Sequence, residues 1–394
     1  MLKRLHLLLA LFILTVNAAM AQITTSGISG KITSDGENVI GATVTATHQP
    51  SGTVYRAVTN IDGRYTIQGM RPGGPYKVDI SYIGYKDKVI KNLNLSLGET
   101  ENISCSLQED AHQLQEVVVS GKAGLAASRT GAATSMTAEQ INNMPSITHG
   151  IADVARLNPQ LTVTNSGNMS FAGVNNRYNN FMIDGAANND VFGLASSGNN
   201  GGQAGAQPVS METIEQIQVS VAPFDVRQSG FTGGAINAIT KSGTNQFHGS
   251  AYYYGYNQDL IGTKYPYLDG TGYAPKYQKQ TQYNMGVTLG GPIIKNKLFF
   301  FANYERTNKE YPNLYGVDSG NSKVNTEQAK DILTMLQKIA EKQGVNFNDY
   351  YSNQDIYTKS DKAGLKLDWN INEFNKFAIR WSLVKAEQLS GGGS

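Results

Sequence analysis

Cysteine is almost absent from this 394-residue sequence; Cys105 is the only one, so no internal disulfide can form. Histidine is nearly as scarce, and His6, His48, His112, His149 and His248 are scattered without zinc-ligand spacing. An excess of charge of one sign is lacking: 33 Lys and Arg against 31 Asp and Glu leave +2. With no basic cluster either, a nucleic-acid footprint is excluded. After the N-terminus there is no apolar run of about eighteen residues, so no segment reads as a membrane-spanning helix. No phosphate cradle appears, because Gly233-Gly234 leads into a strand-like run and not a Gly-Lys-Ser helix start. No carboxylate pair or nucleophile–base set meets the needs of catalysis, and the chain reads as a non-enzyme. The mean hydropathy of −0.33 leaves a membrane barrel open, since barrel strands meet lipid only at every second residue.

The 42 Gly and 21 Tyr, with many Asn, favour turns and strands over packed helices. The N-terminus reads as an export signal over 1–21. Lys3 and Arg4 form its positive region, Leu5 to Val16 its apolar core, and Ala19-Met20-Ala21 its cleavage site, with Gln22 first after the cut between Ala21 and Gln22. No cysteine follows the cut, which excludes lipid attachment there. Over 27–108, short strands are expected at Gly27–Ile32, Val39–Ala46, Val54–Thr59, Tyr65–Gln68 and Tyr76–Tyr82, with turn chemistry at Asn60-Ile61-Asp62-Gly63. That spacing argues for a small β-sandwich. Cys105 alternates with Ile103 and Leu107, which predicts a buried strand position.

Residues 109–123 read as a polar connector carrying Glu116-Val117-Val118-Val119-Ser120. Three consecutive β-branched residues form strands readily, while the Gly-, Ala- and Ser-rich stretch after them, to Ser135, offers little to pack on. A lone strand with unpaired main-chain groups seeks a sheet edge, either in a partner or as the last strand of the preceding sandwich. Between 124 and 245, Thr137-Ala138-Glu139-Gln140 predicts a capped helix ended by Pro145, and Thr148–Leu157 a second helical turn. Strands are expected at Leu161–Thr164, Met169–Ala172, Phe181–Gly185 and Ile214–Val221, and again after Gly233-Gly234.

From 246 to 394, alternation dominates. Met285, Val287 and Leu289 alternate with small or polar residues, as do Leu298, Phe300, Ala302 and Tyr304. The same holds for Ala363, Leu365, Leu367, Trp369 and Ile371, and for Phe377, Ile379, Trp381 and Leu383, with Phe247–Asn257 a Tyr-rich candidate. Alternation alone suits a soluble sandwich equally well. Connections that run long (258–280), short (291–296), very long (307–360) and short (371–375) suit an outer-membrane barrel, with long loops outside and short turns in the periplasm. The very long loop holds an amphipathic helix through Ala329, Ile332, Leu333, Leu336, Ile339 and Ala340, ended by Gly344. A barrel wide enough for an internal domain needs on the order of 22 strands. These segments therefore read as the first five or so strands of an incomplete barrel, and the Gly/Ser end as native loop or linker.

Several motifs carry a resemblance. Val39-Ile40-Gly41-Ala42, Asp62-Gly63-Arg64-Tyr65 and Ser81-Tyr82-Ile83-Gly84-Tyr85 resemble the transthyretin-like carboxypeptidase-regulatory module of Bacteroidetes-type transporters. Phe181-Met182-Ile183-Asp184-Gly185, Ile214-Glu215-Gln216-Ile217-Gln218-Val219 and Gly233-Gly234-Ala235-Ile236-Asn237-Ala238-Ile239-Thr240 resemble, in order, the plug of TonB-dependent receptors. Ala222-Pro223-Phe224-Asp225-Val226-Arg227 and Leu289-Gly290-Gly291-Pro292-Ile293-Ile294 look like the Oar-like branch, and Ala222-Pro223 stands where many members have Arg-Gly. The resemblance implies a mainly β chain: signal peptide, sandwich, α/β plug and transmembrane barrel in the outer membrane, with the sandwich and connector in the periplasm. It implies active uptake of a large polar ligand such as a peptide or protein, the alternative being an adhesin or signalling barrel without transport. It makes 116–120 a TonB box, pairing with TonB and its inner-membrane partners ExbB and ExbD. Upper plug loops would touch ligand, here Asn175, Asn176, Arg177, Tyr178, Asn179, Asn180, Asn188, Asn189 and Asp190, or else these are ordinary turn residues. No cofactor is implied; Asp184 and Asp190 with nearby carbonyls offer oxygen donors to Ca²⁺, without EF-hand spacing.

Overall fold

The computed structural model describes residues 24–109, 117–120, 132–144, 149–164, 169–190, 201–221, 232–260, 279–313, 325–344 and 355–390, with a few single positions between them. The signal residues, Ala21 and Gln22 included, lie outside the described residues, as do Glu116 and 222–231.

The sandwich is built from β1 (Ser26–Ser34), β2 (Glu37–Asn38), β3 (Thr43–His48), β4 (Thr53–Val58), β5 (Arg64–Met70), β6 (Gly73–Ser81), β7 (Lys88–Leu95), β8 (Thr100–Asn102) and β9 (Cys105–Ser106). One sheet runs β2-β1-β5, with β8 and β9 parallel to β1; the other runs β7-β6-β3-β4. Alternate residues of both sheets, among them Ile28, Ile32, Val44, Ala46, Tyr76, Val78 and Ile80, meet in one core. The expected strand over Val39–Ala46 is split: Gly41 turns at φ +85°, a left-handed conformation that cannot continue a strand, and β3 starts at Thr43. Cys105 is half-buried and not fully covered, because β9 lies at the margin of its sheet.

His48 ends β3 inside this core, with Nδ1 2.7 Å from Ser51 Oγ and its ring 4.9 Å from that of Tyr76. Burial, and secondarily the positive charge of Arg71, push its pKa down from 6.5 to about 3. The unfolded chain therefore takes up a proton near pH 6.5 while the folded sandwich stays neutral to about 3, so stability is lost as pH falls through that window. The expected loss between pH 7.5 and 5 is on the order of 2 kcal/mol. Hydrogen exchange of the sandwich amides at the two pH values, corrected for intrinsic rates, should show it, and His48→Asn should flatten the dependence.

A four-residue strand, β10 (Val117–Ser120), precedes the plug, which comprises β11 (Ala132–Thr137), α1 (Ala138–Asn143), α2 (Ile151–Ala155), β12 (Leu161–Val163), β13 (Met169–Phe171), β14 (Asn180–Ile183), β15 (Ala186–Ala187), β16 (Ile214–Val221) and β17 (Gly234–Thr240). Thr137 and Gln140 close the expected capping box on α1. The second helix is shorter than Thr148–Leu157, since His149 turns at φ +47° just before Gly150 caps it. Ala132–Thr137, in a stretch that promised little packing, pairs antiparallel with β16. Its small side chains suffice because main-chain bonds hold the edge and only Met136 is buried. The plug sheet runs β11-β16-β17-β14-β15 over a core of Ile141, Val154, Phe171, Phe181, Ile217 and Ile236. Gly234 is required here: a Cβ would sit 2.3 Å from Cγ of Phe171, a ring that is only 1% exposed.

Five long strands, β18 (His248–Asn257), β19 (Thr281–Ile294), β20 (Leu298–Tyr311), β21 (Ile356–Asn370) and β22 (Lys376–Leu389), form an antiparallel meander in chain order. Its polarity is inverted. Val287, Leu289, Leu365, Trp369, Ile379 and Trp381 are exposed, while Gln282, Asn284, Glu305, Thr307, Ser360, Lys362 and Lys366 are buried against the plug. A water-soluble sheet does the reverse; an outward apolar face belongs in lipid. β20 and β21 run past the expected loop limits of 307 and 360, narrowing that loop to 312–355. At about 3.4 Å per residue, a 14-residue strand overshoots an apolar band of about 25 Å, and the part beyond the lipid has no alternation to betray it. The loop helix α3 (Thr326–Gln343) has the capping box Asn325/Gln328 and stops at Gly344.

Candidate functional site

Two charged clusters join the plug to the barrel wall. Ser210, at the turn leading into β16, donates from Oγ to Glu305 Oε2 at 2.6 Å, and Tyr252 donates to the same oxygen at 2.7 Å. Lys362 Nζ meets Glu305 Oε1 at 2.5 Å, both side chains being nearly inaccessible. The second cluster centres on Asp184, which follows β14 at φ +48°. Its carboxylate accepts from the N–H and hydroxyl of Thr240 at 2.8 and 2.6 Å, and lies 3.3 Å from Lys366 Nζ and 3.4 Å from Arg380 Nε. Burial alone would raise the Asp184 pKa; Lys366, Thr240 and Arg380 outweigh it and hold the carboxyl below its ordinary value. Two cations on one carboxylate are incompatible with the Ca²⁺ reading of Asp184 and Asp190, and no three metal-type ligands converge among the described residues. Neither cluster was singled out from sequence, although lysines four apart at Lys362 and Lys366 on the polar face of an alternating strand were a visible signal.

The sandwich rests on the same assembly. Gln216 of β16, almost fully buried, accepts from Leu97 N at 2.8 Å and donates to Leu95 O at 3.0 Å; Gln218 donates to Leu97 O at 3.1 Å. Short barrel turns complete the contact: Arg56 grips Glu373 with 2.7 and 2.8 Å bonds, Lys376 lies 3.8 Å above the Tyr55 ring, and Asn370 donates to Thr53 Oγ1 at 2.9 Å. The Arg56–Glu373 pair is half-exposed and screened by water, so the buried amide bonds of Gln216 hold more.

Most loop residues expected near ligand are engaged in holding the plug's own chain. Asn175 accepts from Arg177 N, and Asn179 donates to Met169 O while accepting from Gly234 N. Asn189 accepts from Phe181 N and donates to Asn180, and Asp190 accepts from Ala195 N. Asn176 and Asn188 are half-buried, with Asn188 Oδ1 unpartnered. Arg177 and Tyr178 are exposed. The structure brings these residues to one region, around a small crevice between Asn176, Asn179, Asn180 and Asn189.

The connector strand β10 is not alone. It pairs in parallel with β7, Val117 opposite Lys88 and Ser120 opposite Lys91. The lone strand of the sequence has found the edge of the neighbouring sandwich sheet, which becomes β10-β7-β6-β3-β4.

A β-sandwich, a wedged α/β plug and a sheet with its apolar face outward define the class, and comparison with known families agrees. Three family models match in tandem: a carboxypeptidase regulatory-like domain at 27–108, a TonB-dependent receptor plug domain at 126–236 and an outer-membrane β-barrel domain at 239–319. The chain therefore carries the plug domain of TonB-dependent receptors, followed by the start of an outer-membrane β-barrel domain. Within that class it is similar to the TonB-dependent transporter Oar of Myxococcus xanthus, 29% identical over 273 residues that cover 66% of this chain and 24% of the relative. A probable TonB-dependent siderophore receptor PirA of Acinetobacter baumannii is 25% identical over 188 residues, 44% of this chain and 22% of that protein. The crystal structure of the siderophore receptor PirA from Acinetobacter baumannii aligns with a TM-score of 0.44 and 20% identity, over 66% of this chain and 32% of that one. The chain thus spans about a quarter of the length of the curated relatives it matches.

Proposed function

We propose that this chain is the gated front of a transporter that takes up a large or scarce polar ligand across the outer membrane at the expense of energy relayed by TonB, with ExbB and ExbD behind it. The observation that carries the reading is the plug fastened to an inverted sheet through Ser210–Glu305 and Asp184–Lys366. A closed gate held by a few charged contacts is stable at rest and yields to force. Among the described residues no strand pairs with the outer edges of β18 and β22, and hydrocarbon does not tolerate such edges, so a working barrel needs more than these five strands. Glu116 to Ser120 is the segment for TonB, and its strand Val117–Ser120 offers a main chain that supplies the affinity. Arg177 and Tyr178 are the loop residues with side chains free to meet a polar ligand, a peptide or protein being the class that an Arg fork and a Tyr face suit.

Deleting 115–120 from the complete receptor, at equal surface abundance, is expected to abolish ligand accumulation while leaving surface binding intact. Unchanged accumulation would favour an adhesin or signalling barrel.

A further inference from the structure

On one side of this sandwich sheet, side chains of β4 meet the barrel turns through Arg56–Glu373 and Thr53–Asn370. At the opposite edge, β7, the chain delivers an added strand. Lys86 N bonds Gln108 O at 2.9 Å and Tyr85 bridges Glu109, so the connector leaves the sandwich within two residues of where β7 begins. A tether of so few residues gives strand 117–120 a high effective concentration at that edge. The ladder is also short by construction. It covers Lys88 to Lys91 and stops where Asn92, at φ +61°, turns β7 out of extended geometry. A four-residue edge strand is held firmly enough to be parked and loosely enough to be released.

We propose that the β7 edge is the resting site of the TonB box, and that TonB engages the strand only in the fraction of molecules where it has left that edge. This rests on the reading of 116–120 as the box. The parked strand shows a partner one edge instead of two, and it is coupled through the sandwich to Gln216 and Gln218 of the plug. A strand bound in this way cannot be drawn out into the periplasm. The apparent affinity for TonB is lowered by the released fraction, and any event that loosens the sandwich or its edge raises it.

The test is a reversible lock. Lys91 and Ser120 are paired across the ladder, and Cα atoms of neighbouring strands, about 4.8 Å apart, lie within disulfide range. The complete receptor carrying Lys91→Cys, Ser120→Cys and Cys105→Ser is oxidised in detergent, and capture of purified TonB periplasmic domain is measured before and after reduction. A disulfide is expected to form in the folded receptor, capture should fall at least tenfold, and reductant should restore it. A register control, Lys91→Cys with Val117→Cys, should crosslink poorly. Failure of the first pair to crosslink, or capture by the oxidised form equal to that of the reduced form, overturns the parking site. TonB capture that survives deletion of 116–120 removes the box reading itself, and the proposal with it.

Discussion

Replacing Lys362 by methionine in the complete receptor is expected to destabilise the barrel wall where it meets the plug by about 3–5 kcal/mol, the cost of leaving a buried carboxylate without its counter-charge. Glu305 would keep the hydroxyls of Ser210 and Tyr252 but lose the cation 2.5 Å away. Those two hydroxyls already donate to one oxygen, Oε2, so Oε1 would be left without a donor. Removing both charges should be far milder. Glu305→Leu with Lys362→Met takes away the unpaired ion along with the pair, and most of the loss is expected to return. Thermal unfolding in detergent measures the energies, and sensitivity of cells to a large antibiotic reads the seal. Equal damage from the single and double variants would show that the loss does not come from an unpaired Glu305 carboxylate.

Substituting Gly234 by valine is expected to be at least as severe and to act on the fold of the plug itself. A Cβ there would approach three Phe171 ring carbons at 2.3 to 2.7 Å. The ring is packed on the plug core, and β17 lies between β16 and β14, so neither partner has room to give. Overpacking of a tight core costs about 1–3 kcal/mol, and a clash this deep belongs at or above that limit. The expected phenotype is a protease-sensitive plug and a leaking receptor. Gly234→Ala combined with Phe171→Leu should recover protection relative to Gly234→Ala alone, because the smaller side chain vacates the space the new methyl needs. Independent losses that simply add would assign the effect to the strand backbone and not to the Phe171 contact.

What the sequence makes legible follows from whether the solvent or a distant partner imposes the pattern. Lipid imposes alternation at Met285–Val287–Leu289 and Phe377–Ile379–Trp381–Leu383, and those strands can be read directly. It imposes nothing on Thr307 to Tyr311, which continue β20 unseen. Capping is local, so Thr137–Gln140 and Asn325–Gln328 show where helices begin. The main-chain hunger of Val117–Val119 is local too, but its satisfaction by Lys88–Lys91 depends on a parallel pairing that nothing nearby in sequence announces. The partners of Asp184 lie on two strands far along the chain, so its role as an anchor emerged only in three dimensions, and the calcium reading fell with it. The Asn-rich loop shows the opposite limit: the same residue type suits ligand contact, turn closure and bracing, and here Asn175 closes a turn while Asn179 and Asn189 brace more distant parts of the plug chain.

The contact between β16 and the sandwich is one-sided in chemical character. The plug contributes the amide side chains of Gln216 and Gln218, whereas the sandwich offers main-chain atoms of Leu95 and Leu97. Recognition of a backbone depends on the course of the chain and little on which side chains it bears. Divergence is therefore asymmetric: the sandwich is free to drift or be exchanged by recombination for a related module with the same edge geometry, while the two glutamines carry the burden of compatibility.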